Sequence, residues 1–371
     1  MRGSVVPLAE LGRDGGSGSE VEPELVLAFV PPGHELDGRL AELEARWPAS
    51  RVVAVEAVTQ FAGSHLRRDG VALLLGPRGS RWSAEIAVVP GRRGEPLALD
   101  SVREAVALIR RSSGALLLAD GLRFPVQAFL ARLRAMGVDC GRLAGGLASQ
   151  AEPVEVPLAR VATGGGVVEA GAVVVGFSGV EVAVEIVRGW EPAGPRFTVT
   201  KAAGNVLYEL EGEPATRWYE ALFTVGGELA PLPETAYRFP LIVDGPRPER
   251  RGLYRSMRWF DRPPGAVTYW GDLVEGDRVR LGIGDGGSLA RGAARVRPTF
   301  RPEAAVVFSC VGRELVLGDR AGEEAAALST ALGEAPLAGF FTFGEVGPAV
   351  SGRPAFYNQT AVLALFRETG A

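Results

Sequence analysis

The alternation of apolar and polar positions divides the chain into short strands and amphipathic helices. Residues 24–30 carry an almost unbroken apolar run of strand length, the pattern of a strand buried on both faces. Leu40, Leu43 and Trp47 then recur at helical spacing and predict a helix over 36–47. Strand patterns follow at 51–55, 71–75 and 84–89. Ser101 with Glu104 forms a capping-box pattern, which predicts a helix running to Arg111 and stopped by Gly114. A strand at 115–119 and a helix from Pro125 to Gly137 complete a stretch in which strands and helices alternate, as an α/β layer requires.

Beyond residue 156 the pattern turns β-rich. Runs at 167–177, 180–187, 197–200 and 206–210 are separated by glycine turns and predict antiparallel pairing. A helix over 213–223 marks the junction between halves. After it, strands are expected at 237–243, 252–259, 266–269, 279–283, 304–308 and 360–366, with helices at 288–295 and within 312–332. The expected fold class is α/β: two related α/β domains, 23–215 and 216–371, with layered mixed β-sheets packed centrally and helices outside. Residues 1–22, polar and glycine-rich, are expected to be a disordered tail. A short likeness between VVVGFSG at 173–179 and AVVFSC at 305–310 hints at duplication.

Composition narrows the function. A chain of 371 residues exceeds one comfortable core, and 47% hydrophobic with 23% charged residues describes an ordinary globular protein. The net charge of −4 offers no basic footprint for nucleic acid. Lys201 is the only lysine among 40 basic residues; with 50 glycines this points to a GC-rich bacterial source. The start has no signal-peptide core, and the run from Gly165 to Val180 is too short and glycine-broken to span a bilayer, so the expected location is cytoplasmic.

Candidate chemistry concentrates in the last seventy residues, where polar side chains interrupt apolar runs. Arg313 could hold a carboxylate bidentately and Glu345 an ammonium, which together suit a zwitterion; alternatively they pair with each other. Asn358 and Thr360 stand two apart, hence on one face of a strand, and offer donors and acceptors to orient a ligand or to bracket the loop. Thr342 lies in the same set. Cys310 would act as a nucleophile only with a base or positive field nearby, and otherwise is a small core residue. Asp120 and the Gly145-Gly146 pair could meet these residues from the first half, since pockets favour domain interfaces. His34 and His65 are the only histidines, and with Cys140 far from Cys310 no metal-ligand spacing exists.

These segments resemble the FIST family (named for F-box and intracellular signal transduction proteins). The resemblance rests on FSCVGR at 308–313, GFFTFGEVGP at 339–348 and FYNQTAVLALF at 356–366. In the first half it rests on LADGL at 118–122, AGGLAS at 144–149 and the run over 179–215, and then on FPLIV at 239–243. Two positions depart from the family pattern. The stretch from Val53 to Gln60 lacks a Gly-Cys-Ser-Thr segment, and Tyr357 stands where many members have histidine. The resemblance implies a stand-alone sensory protein that recognises an amino acid or related metabolite and passes the signal to a downstream protein. From charge and hydropathy neither a membrane nor a nucleic-acid partner is expected, and no catalytic residue is assigned. Two alternatives are a haem-based gas sensor, with His34, His65 or Tyr357 as ligand, and a hydrolase or transferase using Cys310.

Overall fold

The computed structural model describes residues 1, 3–11, 22–33, 36–91, 96–150, 159–261 and 265–369. It is a mixed α/β protein in which sheets pack centrally and helices lie outside, as the pattern predicts.

One arrangement is built three times. A first strand is followed by a second, then a helix, a third strand parallel to the second, and a fourth inserted antiparallel between the first and second. In the first unit these strands are Gly3–Pro7, Pro23–Val30, Arg51–Glu56 and Val71–Pro77. In the second they are Ser83–Val89, Gly114–Ala119, Leu143–Leu147 and Ala172–Ser178. In the third they are Val180–Val187, Ala304–Cys310, Leu337–Thr342 and Ala361–Glu368. The faint likeness of 173–179 to 305–310 therefore joins non-equivalent strands: the counterpart of Ala304–Cys310 is Gly114–Ala119.

Between its third and fourth strands each unit sends out a hairpin that pairs with another unit's sheet. Gln60–Ala62 and His65–Arg67 of the first unit extend the third sheet along Leu337–Thr342. Val161–Thr163 and Gly166–Val167 of the second extend the first along Arg51–Glu56. Glu345–Pro348 and Pro354–Tyr357 of the third extend the second along Leu143–Leu147. The exchange is cyclic. Inserted between the first and second strands of the third unit is an eight-stranded sheet formed by residues 191–283, packed on the helix Ala215–Phe223.

Strand alternation explains the apolar runs. Leu25, Leu27 and Phe29 enter a core shared by the three sheets, whereas Val26, Ala28 and Val30 meet the helix Leu36–Arg46. Val306 and Phe308 likewise face inward, and Ala305 and Val307 face the helix Ala321–Leu332. Phe340 joins the units: its ring lies 5.3 Å from Phe29 and 5.8 Å from Phe308.

Three expectations need correction. Residues 3–11 are not a tail: Gly3–Pro7 is an edge strand, and Leu8 is buried because Gly70, with φ +95°, leaves room for its side chain. Residues 12–21 lie outside the described residues. The helix predicted from Ser101 begins at Leu99, because Ala98 already has the extended backbone that precedes a first turn, and no side chain caps it. The capping box that does form uses Asp285 and Ser288. Among the described residues no helix is long and apolar enough to cross a membrane.

Replacing Phe340 by alanine is expected to cost about 3–5 kcal/mol. Since each sheet is completed by another unit, unfolding followed by far-UV circular dichroism and by tryptophan fluorescence should remain one coincident transition. Two separated transitions would show that the units fold independently.

Candidate functional site

The third unit ends its strands Ala304–Cys310 and Leu337–Thr342 side by side, with Cys310 in register with Thr342. The chain then returns through Glu345 and Thr360, and the four side chains converge. Glu345 accepts a hydrogen bond from the Thr342 hydroxyl at 2.8 Å on one oxygen. On the other it accepts from the Thr360 hydroxyl at 2.9 Å and the Thr360 amide at 3.3 Å. Thr360 in turn accepts from the Cys310 amide at 2.9 Å. All of this is buried, and among the described residues no cation pairs with Glu345. Burial therefore raises its carboxyl pKa to about 8, although hydrogen bonds from Thr342 and Thr360 oppose the shift. At neutral pH the group is predominantly protonated.

Glycines let this cluster close. Gly145 and Gly146 pair with Val346 and Glu345, and a Cβ on Gly146 would lie 2.6 Å from both Phe308 and Thr342. Their close approach is to a neighbouring strand.

Arg313 belongs elsewhere. Its Nε donates to Glu324 at 2.9 Å and a terminal nitrogen bonds the same carboxylate, while Ser309 donates to the other oxygen at 2.9 Å. The zwitterion clamp of Arg313 with Glu345 is thus not formed, because a nearer carboxylate on the adjoining helix holds the guanidinium in a fully buried pair. Asp120 is also apart. It occupies the end of Gly114–Ala119, the second unit's counterpart of Ala304–Cys310, and accepts from the amides of Leu122 and Arg123 and from the Arg123 guanidinium.

Cys310 and Asn358 border a cleft of about 870 Å³ between the first unit's hairpin, the inserted region 191–283 and the helix Val311–Leu317 that follows Ala304–Cys310. Its walls include Thr59, Tyr237, Ser256, Trp270, Glu314 and Phe343, and its rim carries Arg67 and Arg68. Trp270 and Phe343 stack at 6.1 Å. Asn358 donates to the Tyr357 carbonyl at 3.0 Å, but its buried Oδ1 has no partner among the described residues. The neighbouring Gln359 holds a left-handed backbone, φ +59°, where only glycine is at ease. Its amide is fixed to the Tyr237 carbonyl at 3.2 Å and the Ser256 hydroxyl at 3.3 Å. Gly312 makes room for it: a Cβ there would stand 2.3 Å from the Gln359 amide nitrogen. Burial raises the Glu314 carboxyl pKa, opposed by Thr59 and by Arg68 at 3.7 Å.

Sequence reasoning found Cys310 and Asn358 but missed the aromatic and hydroxyl walls. Trp270, Tyr237 and Ser256 come from connections between strands of the inserted region and carry no local pattern that ties them to residues 308–360.

Cys310 lacks an activating environment. Burial and the adjacent Glu345 push its thiol well above the ordinary range. For haem, His34 lies outside the described residues, and His65 sits exposed on an edge strand. Tyr357 is buried with its hydroxyl donated to the Pro348 carbonyl at 2.8 Å. Neither His65 nor Tyr357 lines the cleft. His65 and Tyr357 do not fit an axial-ligand role.

A FIST N domain model matches residues 24–213 and a FIST C domain model matches residues 215–348. The matches bear on these two domains, and the F-box part of the resemblance finds no support. Among curated proteins, the uncharacterized protein Rv0628c of Mycobacterium tuberculosis is 29% identical over 211 residues, 54% of this chain and 55% of its own length. The uncharacterized protein Mb0898c of Mycobacterium bovis is 27% identical over 212 residues, 54% of each. The matched stretch thus spans about half the length of these relatives.

Two outcomes follow. In the unfolded chain Glu345 ionises above its ordinary value of 4.5, whereas the folded protein keeps the proton to about pH 8. Stability should therefore fall as pH rises between those values, by up to about 1.4 kcal/mol per pH unit from this group, and level off above them. Glu345→Gln should remove that component, so urea midpoints of variant and wild type should diverge from pH 5 to 8. A constant difference would show that Glu345 is ionised in the fold. Secondly, iodoacetamide at pH 7.5 should label Cys310 in urea and leave it unlabelled in the native protein; rapid native labelling would restore the nucleophile reading.

Proposed function

The chain belongs to the FIST family, and from that premise we propose that it is a sensory protein whose ligand, an amino acid or related small metabolite, binds in the 870 Å³ cleft. FIST domains are sensory domains of signal transduction. The observation that carries the placement is Asn358. A buried carboxamide oxygen without a partner costs on the order of 1–3 kcal/mol, and a ligand donor in the cleft would recover that cost.

The surroundings suit a small zwitterion. Asn358 Oδ1 and the Glu314 carboxyl would take an ammonium, Arg68 on the rim a carboxylate, and Trp270 with Phe343 an apolar side chain. The cleft walls come from several segments of the chain, so a ligand that touches them all favours one arrangement of those segments over looser ones. Signalling would follow from that shift in population, read by a downstream protein.

Native mass spectrometry first detects a retained ligand, and a thermal-shift panel of the twenty amino acids then tests binding directly. At a hundredfold excess over Kd a true ligand adds about 2.7 kcal/mol of stability. The expected result is a saturable rise in Tm for one amino acid or a small chemical group of them. Asn358→Leu should weaken that binding at least tenfold while keeping the fold. No retained ligand together with a flat panel, or unchanged affinity in Asn358→Leu, would overturn the placement.

A further inference from the structure

A second concavity, of about 440 Å³, lies where the end of the strand Val180–Val187 meets the helix Gly286–Ala294. Four arginines line it: Arg188 from the strand side, and Arg291, Arg295 and Arg297 from the helix and its C-terminal end. Two glycines set the contact. A Cβ on Gly292 would lie 1.8 Å from the Arg188 carbonyl, and one on Gly189 would lie 2.8 Å from the Leu289 Cα. Helix and strand end can therefore approach only because both side chains are missing, and this approach lets Arg188 line the same concavity as Arg291 and Arg295.

The charge is uncompensated. Among the described residues none of the four guanidiniums makes an ion pair, although Glu185 and Glu191 line the same concavity. Arg297 donates to the Ala294 and Val296 carbonyls at 2.8 and 2.7 Å, and Arg291 acts on the exposed Asp285 only through its field. Arg291 and Arg295 stand four apart on the helix, where like charges repel. Helix-end electrostatics would account for cations in the last turn, but not for a fourth arginine, Arg188, lining the same concavity from the end of a strand. Four arginines against two glutamates leave two positive charges in excess, the complement of a phosphate dianion. Guanidinium groups bind phosphate oxygens through paired N–H donors.

We propose that this groove is an anion site for a phosphorylated small metabolite. It is separate from the cleft and does not depend on the reading given to it. Trp190 in its wall donates to the carbonyl of the strained Gln359 at 2.9 Å, and Asn358, the residue before Gln359, lines the cleft.

The test is isothermal titration calorimetry of the full chain with inorganic pyrophosphate at low ionic strength, against citrate at matched ionic strength. Saturable pyrophosphate binding is expected, at least tenfold tighter than that of citrate. The double variant Arg291→Gln, Arg295→Gln should weaken it at least tenfold with an unchanged ligand-free Tm. Should that variant lose stability, Arg295→Gln alone should still weaken binding severalfold. No saturable heat, or equal affinity in the variants, would overturn the site, and equal binding of citrate would overturn the phosphate assignment.

Discussion

The structure depends on the exchange of hairpins between its three sheets. A strand edge left open presents unpaired amide and carbonyl groups, and each third strand has such an edge until another unit's hairpin covers it. Gln60–Ala62 covers the third unit, Val161–Thr163 the first and Glu345–Pro348 the second. Because the cycle closes, no unit can complete its sheet alone. The joins are cemented at the crossing points. The Phe341 amide donates to the Thr59 carbonyl at 3.0 Å, the Ser149 hydroxyl to the Phe341 carbonyl at 2.6 Å, and the Ser149 amide to the Glu56 carbonyl at 3.0 Å. These bonds run between segments some 90 to 280 residues apart, which places polar groups deep in an otherwise apolar centre.

Two buried glutamates show how that centre tolerates carboxyl groups. Glu324 pairs with the Arg313 guanidinium and accepts from the Ser309 hydroxyl. Glu345 has no cation and keeps its proton instead, held between two threonine hydroxyls. The contrast is geometric: Glu324 sits on the helix that faces Arg313, while Glu345 begins a strand that pairs with Gly146 and faces the sheet ends. A buried charge without a partner is the arrangement that low polarity penalises most, and neither residue adopts it.

The same crossing brings the FIST N and FIST C matched regions into shared sheets, so ligand contacts drawn from 58–68 and from 310–358 can occur in one cleft. Strain collects at its edge. Gln359 has a left-handed backbone, Gly312 leaves room for its side chain, and Asn358 beside it has an open acceptor. Local features of this kind persist where surrounding packing over-determines the chain, and they fit a surface whose last contact is supplied from outside.

Much of the fold was legible in order along the chain. The runs 24–30, 115–119, 304–308 and 360–366 read as strands because every side chain there except Glu24 and Thr360 is apolar, and the strands they mark are buried on both faces. The helix 36–47 was legible because Leu40, Leu43 and Trp47 repeat at its period. The motif residues Cys310, Thr342, Glu345 and Thr360 converge at the strand ends, whereas Arg313 and Asp120 lie apart from them. What the sequence could not convey was partnership. Short hairpins such as Gln60–Ala62 have no periodicity to reveal, and nothing local states which distant strand they will cover. Arg313 and Glu345 read as a pair by proximity in motif, yet Glu324, buried on the neighbouring helix, takes the guanidinium. Periodicity and side-chain chemistry are properties of the chain itself, so the sequence determined the elements and their polar endings. Pairing energy depends on distance and desolvation, which exist only once the sheets are packed; the tertiary structure therefore decided which polar groups meet and which face a cleft.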